Sequence, residues 1–274
     1  METTVNIPAP LPPLTTAQAI ALLRRDLALG AALKIALVCL LLIAIFFGDD
    51  KTAMLGFFVV GAAWVALSMS SRRGSALAAA SPSLIAAGMY DAAEVQLSQA
   101  IRGFSFFRST KLMGLHHLAL LRHTQQRWDE SAALSRALLA HRLGPLRALE
   151  KSAHLMLASA AVHLNDPRSA YASIMQLYTQ RLALGEALHL LKTQAVYEAN
   201  IGAWSHLMQN LPTKIQLAEL MPANDAATVQ AVLALAARKT GHPEWEQWLC
   251  ARVGLLTDVQ QLTTRMPMLR ELWA

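Results

Sequence analysis

Two long apolar stretches stand almost back to back near the start of this 274-residue chain. The first covers residues 27–47 and carries one charge, at Lys34, whereas the second covers residues 52–71 and carries none. About 20 apolar residues in a helix, rising roughly 1.5 Å each, are long enough to cross the hydrocarbon core of a bilayer. Because only residues 48–51 separate the stretches, residues 27–71 are predicted to form a transmembrane helical hairpin in the lipid bilayer.

The charged residues that flank the hairpin predict its orientation. Arg24 and Arg25 precede the first stretch, Arg72 and Arg73 follow the second, and the turn between them carries two aspartates and one lysine. By the positive-inside rule, both termini are expected in the cytoplasm and the turn on the opposite side. Lys34 can extend to the cytoplasmic side; a role on an ion pathway is less favoured, because neither stretch contains an acid.

Composition argues against several functional classes. The formal net charge is +6, without a block of basic residues or a basic stripe interleaved with aromatics, so no nucleic-acid partner is expected. Cys39 and Cys250 lie far apart, and a chain without a disulfide framework fits a reducing compartment. No Gly-rich phosphate loop, nucleophile elbow or His-Glu-x-x-His motif is present, so neither catalysis nor a cofactor is expected.

The rest of the chain divides into a short N-terminal part and a long helical part. Residues 1–26 are predicted to be a cytoplasmic Pro-rich tail followed by a short helix that begins near Thr16. Residues 75–274 are rich in Ala and Leu and show no alternation with period two, which predicts helices. Pro82 is expected to shorten the first of them. Recurring Gly and Pro breakers therefore predict an all-α chain of helix–turn–helix units.

These units repeat along the sequence. In each unit, the turn is followed by an aromatic residue or a proline. The helix after it begins with polar residues and has a small residue one helical turn later. The turn positions are Tyr90, Trp128, Pro167, Trp204 and Trp245, with spacings of 38, 39, 37 and 41 residues. Small residues allow neighbouring helices to approach closely. They are Ala93, Ala119, Ala158 and Ala170.

The motif Gly-Met-Tyr-Asp-Ala-Ala at residues 88–93 resembles the start of the second helix in the tetratricopeptide repeat (TPR) family. The resemblance covers residues 82–249 and implies a TPR-like α-solenoid of about five helical hairpins. Leu207 and Trp248 stand where the family has a small residue, and the spacing is longer than the family's, so a more general α-solenoid stays open. With the hairpin added, the architecture resembles HemY-type bacterial membrane proteins, which implies a bacterial inner membrane.

The TPR resemblance also implies a concave groove lined by the leading helix of each repeat. Transferred by register, the partner-binding candidates are Met113, His116, Leu120, His123, Ser159, His163, His189, Lys192 and Asn200. In such a groove these side chains would face solvent and suit a peptide with acidic or carbonyl groups. The more favoured interpretation of the histidines is that they are partly buried and hydrogen-bonded within the repeats. A metal site is not expected, because no Cys or carboxylate joins them at ligand spacing.

Together these features predict a membrane-anchored helical-repeat adaptor that binds or assembles a protein partner, itself part of a membrane complex, at the cytoplasmic face. The alternative is a permanent accessory or structural subunit of a large membrane complex, with no peptide-binding groove. An enzyme of unrecognised type is a more distant alternative. An adaptor should purify alone and exchange partners, whereas a subunit should be unstable without its complex.

Overall fold

The computed structural model describes residues 14–47 and 50–273; the predicted Pro-rich tail, up to residue 13, and residues 48–49 of the predicted turn lie outside the described residues. Every regular element in the described part is a helix, which confirms the all-α class. The α-helices are α1 Thr16–Phe47, α2 Asp50–Ala86, α3 Tyr90–Arg102, α4 Arg108–Thr124, α5 Trp128–Leu139, α6 Arg147–His163, α7 Pro167–Tyr178, α8 Leu184–Asn200, α9 Trp204–Met208, α10 Leu211–Glu219, α11 Ala223–Thr240, α12 Pro243–Leu256 and α13 Val259–Arg265. Short 3-10 helices cover Gly144–Leu146 and Pro267–Leu272. The chain forms two compact units, residues 1–153 and 154–274.

Helices α1 and α2 are both long and apolar enough to span a membrane. Between residues 29–46 of α1 and 54–69 of α2, large apolar side chains point outward, including Ile35, Phe46 and Phe58 at 64%, 75% and 75% exposure. Soluble proteins rarely expose continuous apolar patches of this extent. The finding agrees with a hairpin surrounded by lipid.

The other ends of the two long helices belong to a helical bundle. In α1 the first turns bury Ala19 and Leu23, and in α2 the last turns bury Ala78 and Ile85. These ends pack against α3, α4 and α5. The predicted short helix near Thr16 therefore runs without a break into the first apolar stretch, and α2 continues well beyond the second.

The expectation that Pro82 shortens its helix is wrong, because Pro82 lies inside α2. Proline has no N–H to donate to the carbonyl four residues earlier, which here is that of Ala78. Two side chains replace the missing donor: the Ser81 hydroxyl donates to Ala78 O at 2.8 Å, and His117 Nδ1 lies 2.7 Å from the same oxygen. Since a carbonyl only accepts, His117 carries its proton on Nδ1. A histidine of α4 thus preserves the continuity of α2.

One turn geometry recurs through both units. In five turns between consecutive helices, one residue has a left-handed backbone. These residues are Gly88, Gln126, Asn165, Gly202 and Gly241. At each of them its N–H bonds to the carbonyl three residues earlier, and the next N–H bonds to the carbonyl five residues earlier. This pair of bonds defines the Schellman motif, which ends helices at a left-handed residue. Five turns of one geometry therefore join consecutive helices in the described part of the chain.

The helices that follow these turns begin where the sequence predicts, with two exceptions. Helices α3, α5, α7 and α9 start at the four predicted positions from Tyr90 to Trp204, but α12 starts at Pro243, two residues before Trp245. In the fourth repeat the second helix is divided into α9 and α10 at Asn210, whose backbone is left-handed. The four small residues Ala93, Ala119, Ala158 and Ala170 are fully buried, which agrees with a role in close helix packing.

The core of the second unit forms around α11. Nearly every residue of α11 from Ala226 to Ala237 is buried, so this helix is enclosed by its neighbours. Helices α8 to α10 and α12 contribute to one cluster with it. The C-terminal segment closes the same cluster through Leu262, Leu269 and Leu272. The TPR resemblance covers residues 82–249 only, and the segment beyond it is nevertheless part of the core.

Candidate functional site

In the first unit, most side chains of the predicted groove residues pack against other parts of the protein. His116 is 6% exposed and its Nε2 lies 2.9 Å from the Ser152 hydroxyl, so the expectation that its ring faces solvent is wrong. The His123 ring packs edge-on against Trp128 at 5.1 Å between centroids. Met113 and Leu120 are half-buried. The interpretation as partly buried side chains therefore describes both histidines, and His116 is also hydrogen-bonded to Ser152.

The pKa of His116 reflects this environment. Burial, and secondarily the charge of the neighbouring His117, lower the pKa of His116 to about 4. The His117 pKa is lowered by burial as well, although its hydrogen bond to Ala78 O opposes the shift. Both rings are therefore neutral near pH 7, and neither can attract an anionic partner by charge.

In the second unit, two of the candidate histidines lie near Lys192. Burial first, and then the charge of Lys192, lower the pKa of His189 to about 4 and also lower that of His163. Lys192 itself is paired with Asp225, at 2.8 Å between Nζ and Oδ1. Ser159 is only 7% exposed, so its side chain is buried. The structure thus brings His163, His189 and Lys192 together, as predicted, but adds an acid that the sequence pattern did not indicate.

A surface cavity of about 570 Å³ opens beside His163 and Asn200. Its apolar floor is formed by Val162, Val196, Ala199, Leu235, Met266 and Met268. Its rim carries hydrogen-bonding groups, namely His163, Asn165, Asn200, Trp204, Lys239, Arg265 and Glu271. Binding pockets combine apolar surface with hydrogen-bonding groups, and this cavity offers both.

The repeat geometry positions the rim. The left-handed turn after α6 presents Asn165 next to His163, and the corresponding turn after α8 leads into Trp204. The Asn200 amide donates to Val162 O at 3.4 Å, which ties the last turn of α8 to α6. The same kind of turn therefore delivers polar groups to the rim from two successive repeats.

The charges around the cavity do not balance. Lys239 is paired with Glu271 at 2.7 Å, so these two charges largely cancel. Arg265 is exposed and makes no ion pair with any residue between positions 14 and 47 or 50 and 273. Because a guanidinium keeps its charge at all physiological pH values, the cavity has an excess positive charge at Arg265. The cavity can accept a carboxylate or a row of carbonyl groups above an apolar contact.

Sequence reasoning found His163 and Asn200 at this cavity but missed Lys239, Arg265 and Glu271. The register of the repeats ends before the C-terminal segment, and no local signal shows where that segment packs. The Pro267 kink after Arg265 indicates only that α13 must end there. Arg265 becomes part of the rim through tertiary packing of Leu269 and Leu272, which are separated from α11 by more than a full helical hairpin.

Buried charges in the first unit serve its packing. Asp26 and Lys111 have side chains that are 0% and 2% exposed, with 2.6 Å between Oδ2 and Nζ. Lys111 also donates to the carbonyls of Ile101 and Gly103, which lie at the end of α3. Burial is the main cause of the lowered Lys111 pKa, and the Asp26 carboxylate opposes that shift. The pair links α1 to α4 and to the end of α3.

A second network fastens the start of α1. The Arg122 guanidinium is 1% exposed and contacts the Glu94 carboxylate at 2.6 Å and the Glu130 carboxylate at 3.1 Å. Glu130 in turn accepts a hydrogen bond from the Thr16 hydroxyl at 2.8 Å. The hydrogen bond from Arg122 is the largest cause of the lowered Glu94 pKa, so the Glu94 carboxyl is ionised at neutral pH.

Over the described part of the chain, no group of three or more His, Cys, Asp or Glu side chains could hold a metal ion. Comparisons with known protein families, with curated proteins and with solved structures find no match to this chain. The function must therefore be inferred from the residues and their geometry.

Proposed function

We propose that this chain is a membrane-anchored helical-repeat adaptor. Residues 27–71 hold it in the bilayer, and the repeats that follow form a TPR-like α-solenoid of about five hairpins on the cytoplasmic side. The exposed apolar length of α1 and α2 supports the anchor. The five Schellman turns support the repeat architecture. In a bacterium, the arginines that flank the hairpin favour the inner membrane with both termini in the cytoplasm.

The partner is proposed to bind in the cavity of the second unit. The observation that carries this proposal is the combination of an unpaired guanidinium, two side-chain amides and an apolar floor in one cavity. Arg265 would receive a carboxylate of the partner, Asn165 and Asn200 would bind its backbone, and Val196 and Met266 would contact an apolar side chain. A segment of a membrane protein complex that carries an acid next to an apolar residue fits these requirements.

The test removes the Arg265 charge and the His163 hydrogen-bond donor together. The variant Arg265→Gln with His163→Ala is compared with Arg270→Gln and His242→Ala, which loses the same residue types at exposed positions outside the cavity. A charge-assisted hydrogen bond contributes about 1.5–3 kcal/mol, so partner recovery from membranes should fall at least about tenfold in the first variant. Quantitative mass spectrometry of proteins co-purified with the full chain gives the measurement.

Equal recovery with both variants would exclude the cavity as the binding surface. That outcome would favour the second candidate, a permanent subunit of a membrane complex. A specific observation supports this alternative: Trp245 and Trp248 are 39% and 42% exposed and, with Pro212 and Ile215, line another cavity of about 510 Å³. Exposed tryptophans are typical of stable interface centres. Loss of the partner in a Trp245→Ala variant would then identify that surface.

A further inference from the structure

A small cavity opens in the second unit, where the end of α10 lies beside α11 and α12. Its volume is about 290 Å³, at the lower end of the range for small-molecule sites. It shares no lining residue with the cavity beside His163 and Arg265. The apolar part of its wall is formed by Met221, Ala223, Ala226 and Leu256, and the polar part by Glu219, Gln230 and Arg252.

Gln230 is the polar residue with which α11 lines this cavity. It lies one helical turn after Ala226 and two turns after Ala223, so the three side chains project from one stripe of the helix. The neighbouring positions Ala227 and Ala231 belong to the apolar core of the unit. Because alanine side chains cannot form hydrogen bonds, the cavity is the place where the Gln230 amide can find a partner.

The Gln230 amide is buried without a hydrogen bond. The residue is 0% exposed, and neither its Oε1 nor its Nε2 is bonded to any group in residues 14–47 or 50–273. Most buried side-chain polar atoms in proteins have a partner, because an unpaired one has lost its hydration without compensation. A glutamine with two unpaired atoms at a cavity therefore indicates a group from outside the chain that supplies both an acceptor and a donor.

Arg252 adds a further donor to the same cavity. Its Nε is also buried and makes no hydrogen bond within the described part of the chain. The rest of the guanidinium is held in place, since Nη2 donates to Glu219 Oε1 at 2.6 Å and Cζ lies 5.1 Å from the centre of the Trp248 ring. Because the ion pair combines one positive and one negative charge, the charged residues of the cavity cancel each other.

These groups favour a neutral carboxamide over an ion. A carboxamide oxygen can accept from Gln230 Nε2 and Arg252 Nε, while its NH₂ group donates to Gln230 Oε1. A carboxylate can accept from the two donors, but it has no hydrogen for Oε1 and brings a second negative charge beside Glu219. An ammonium group has no acceptor and would leave both donors unpaired.

We propose that this cavity binds a primary carboxamide group, which pairs with the Gln230 amide and accepts a further hydrogen bond from Arg252. The carboxamide belongs either to a small molecule or to an Asn or Gln side chain of a peptide, since both present the same atoms. Trp248, which Arg252 contacts, offers apolar surface to the carbon atoms next to the carboxamide. The site depends neither on the membrane anchor nor on the partner-binding cavity at Arg265.

The experiment titrates propionamide into the full chain in detergent micelles and measures binding by saturation-transfer NMR. Gln230→Met keeps the side-chain volume but removes both hydrogen bonds, so it should weaken binding at least about tenfold. Gln261→Met is the matched control, because Gln261 is exposed and lies outside the cavity, and it should bind propionamide like the unmodified chain. Comparison of variants in the same micelles removes the signal from propionamide in the detergent.

A second variant keeps the test decisive if Gln230→Met does not fold, which far-UV circular dichroism reports. Arg252→Lys retains a positive charge beside Glu219 but lacks the Nε donor, so it should weaken propionamide binding at least about threefold. Propionate is the matched ligand, because it has the size of propionamide but carries a negative charge and no donor. It should bind the unmodified chain at least about tenfold more weakly than propionamide.

Three results would overturn the proposal. Propionate binding as tight as that of propionamide would show an anion site at Arg252. Unchanged propionamide binding in a folded Gln230→Met variant, or in Arg252→Lys where Gln230→Met does not fold, would show that these side chains do not recognise the carboxamide. Binding of neither ligand would show that the cavity holds only water.

Two blocked tripeptides then distinguish the two sources of the carboxamide. One has Gln between two glycines, and the other has Met at the same place. Tighter binding of the Gln tripeptide than of propionamide, lost in the Met tripeptide, would support a peptide side chain as the occupant. Binding of propionamide but of neither tripeptide would support a small molecule, since the cavity would then exclude the peptide backbone.

Discussion

At the scale of residues, the least expected feature is the number of charges buried in the first unit. Desolvating an ion costs several kcal/mol, so a buried charge persists only with a well-placed partner. Lys111 satisfies this condition with Asp26 and two carbonyls, and Arg122 with Glu94 and Glu130. Removing one member of such a pair typically costs about 3–5 kcal/mol, because the other charge stays buried. These contacts fix the position of α1 along its length.

The buried His116 predicts a pH dependence of stability. Its pKa in the folded chain is about 4, below the ordinary value of about 6.5 expected in the unfolded chain. Because the unfolded chain binds the proton first, this residue stabilises the fold above pH 6.5, and that contribution is lost as the pH falls from 6.5 toward 4. The loss should be roughly 2–4 kcal/mol in the free energy of unfolding.

Urea unfolding of the detergent-solubilised chain at several pH values measures this effect. The control is His116→Gln, which can still bond to Ser152 but does not titrate. Its free energy of unfolding should fall less than that of the unmodified chain over the same pH range. Identical slopes for the two proteins would contradict the assignment of His116 as a buried neutral residue.

At the scale of residues, the sequence predicts little of how the charged and histidine side chains contact one another. It identifies His116 and His123 as notable but does not show that they are enclosed, because burial depends on which helices pack over them. Asp26 and Lys111 are far apart in the chain, and each alone resembles an ordinary surface charge. Arg265 reaches the cavity through the packing of the C-terminal segment, and the repeat pattern carries no information on that segment.

At the scale of elements, the sequence predicts much more. The five turns are local structures, and Gly or Asn at the left-handed position with a polar helix start is sufficient to specify most of them. The local rule that a proline ends a helix fails at Pro82, because the distant side chain of His117 supplies the missing hydrogen bond. The break at Asn210 lies two residues before Pro212, which is one of the Pro breakers in the sequence.

The role of His117 predicts a coupling with Pro82. His117→Ala removes one of two donors to Ala78 O and should cost about 1–2 kcal/mol of stability. When Pro82 is first replaced by Ala, the new N–H can bond to Ala78 O, so the same His117 change should cost less than half as much. His123→Ala, which alters the contact with Trp128, should cost the same with either residue at position 82. Equal costs of His117→Ala in both backgrounds would contradict this account of the helix.

At the scale of the whole molecule, the central claim is that an exposed apolar hairpin anchors a repeat domain. The pattern of exposure supports it, since the outward-facing residues of α1 and α2 are apolar in the segments that the helical bundle does not cover. The length and composition of the two apolar stretches were sufficient to predict the two long apolar helices. The identity of the partner was not predictable, because recognition depends on side chains that several elements assemble.

Cysteine labelling in intact bacterial cells tests this claim most directly. In a background with Cys39→Ala and Cys250→Ala, one variant carries Lys51→Cys in the turn and another carries Ala76→Cys beyond the second apolar stretch. A membrane-impermeant thiol reagent should label position 51 in intact cells and position 76 only after permeabilisation. Labelling of position 76 alone would reverse the orientation, and protection of both positions in a carbonate-soluble chain would contradict the membrane anchor.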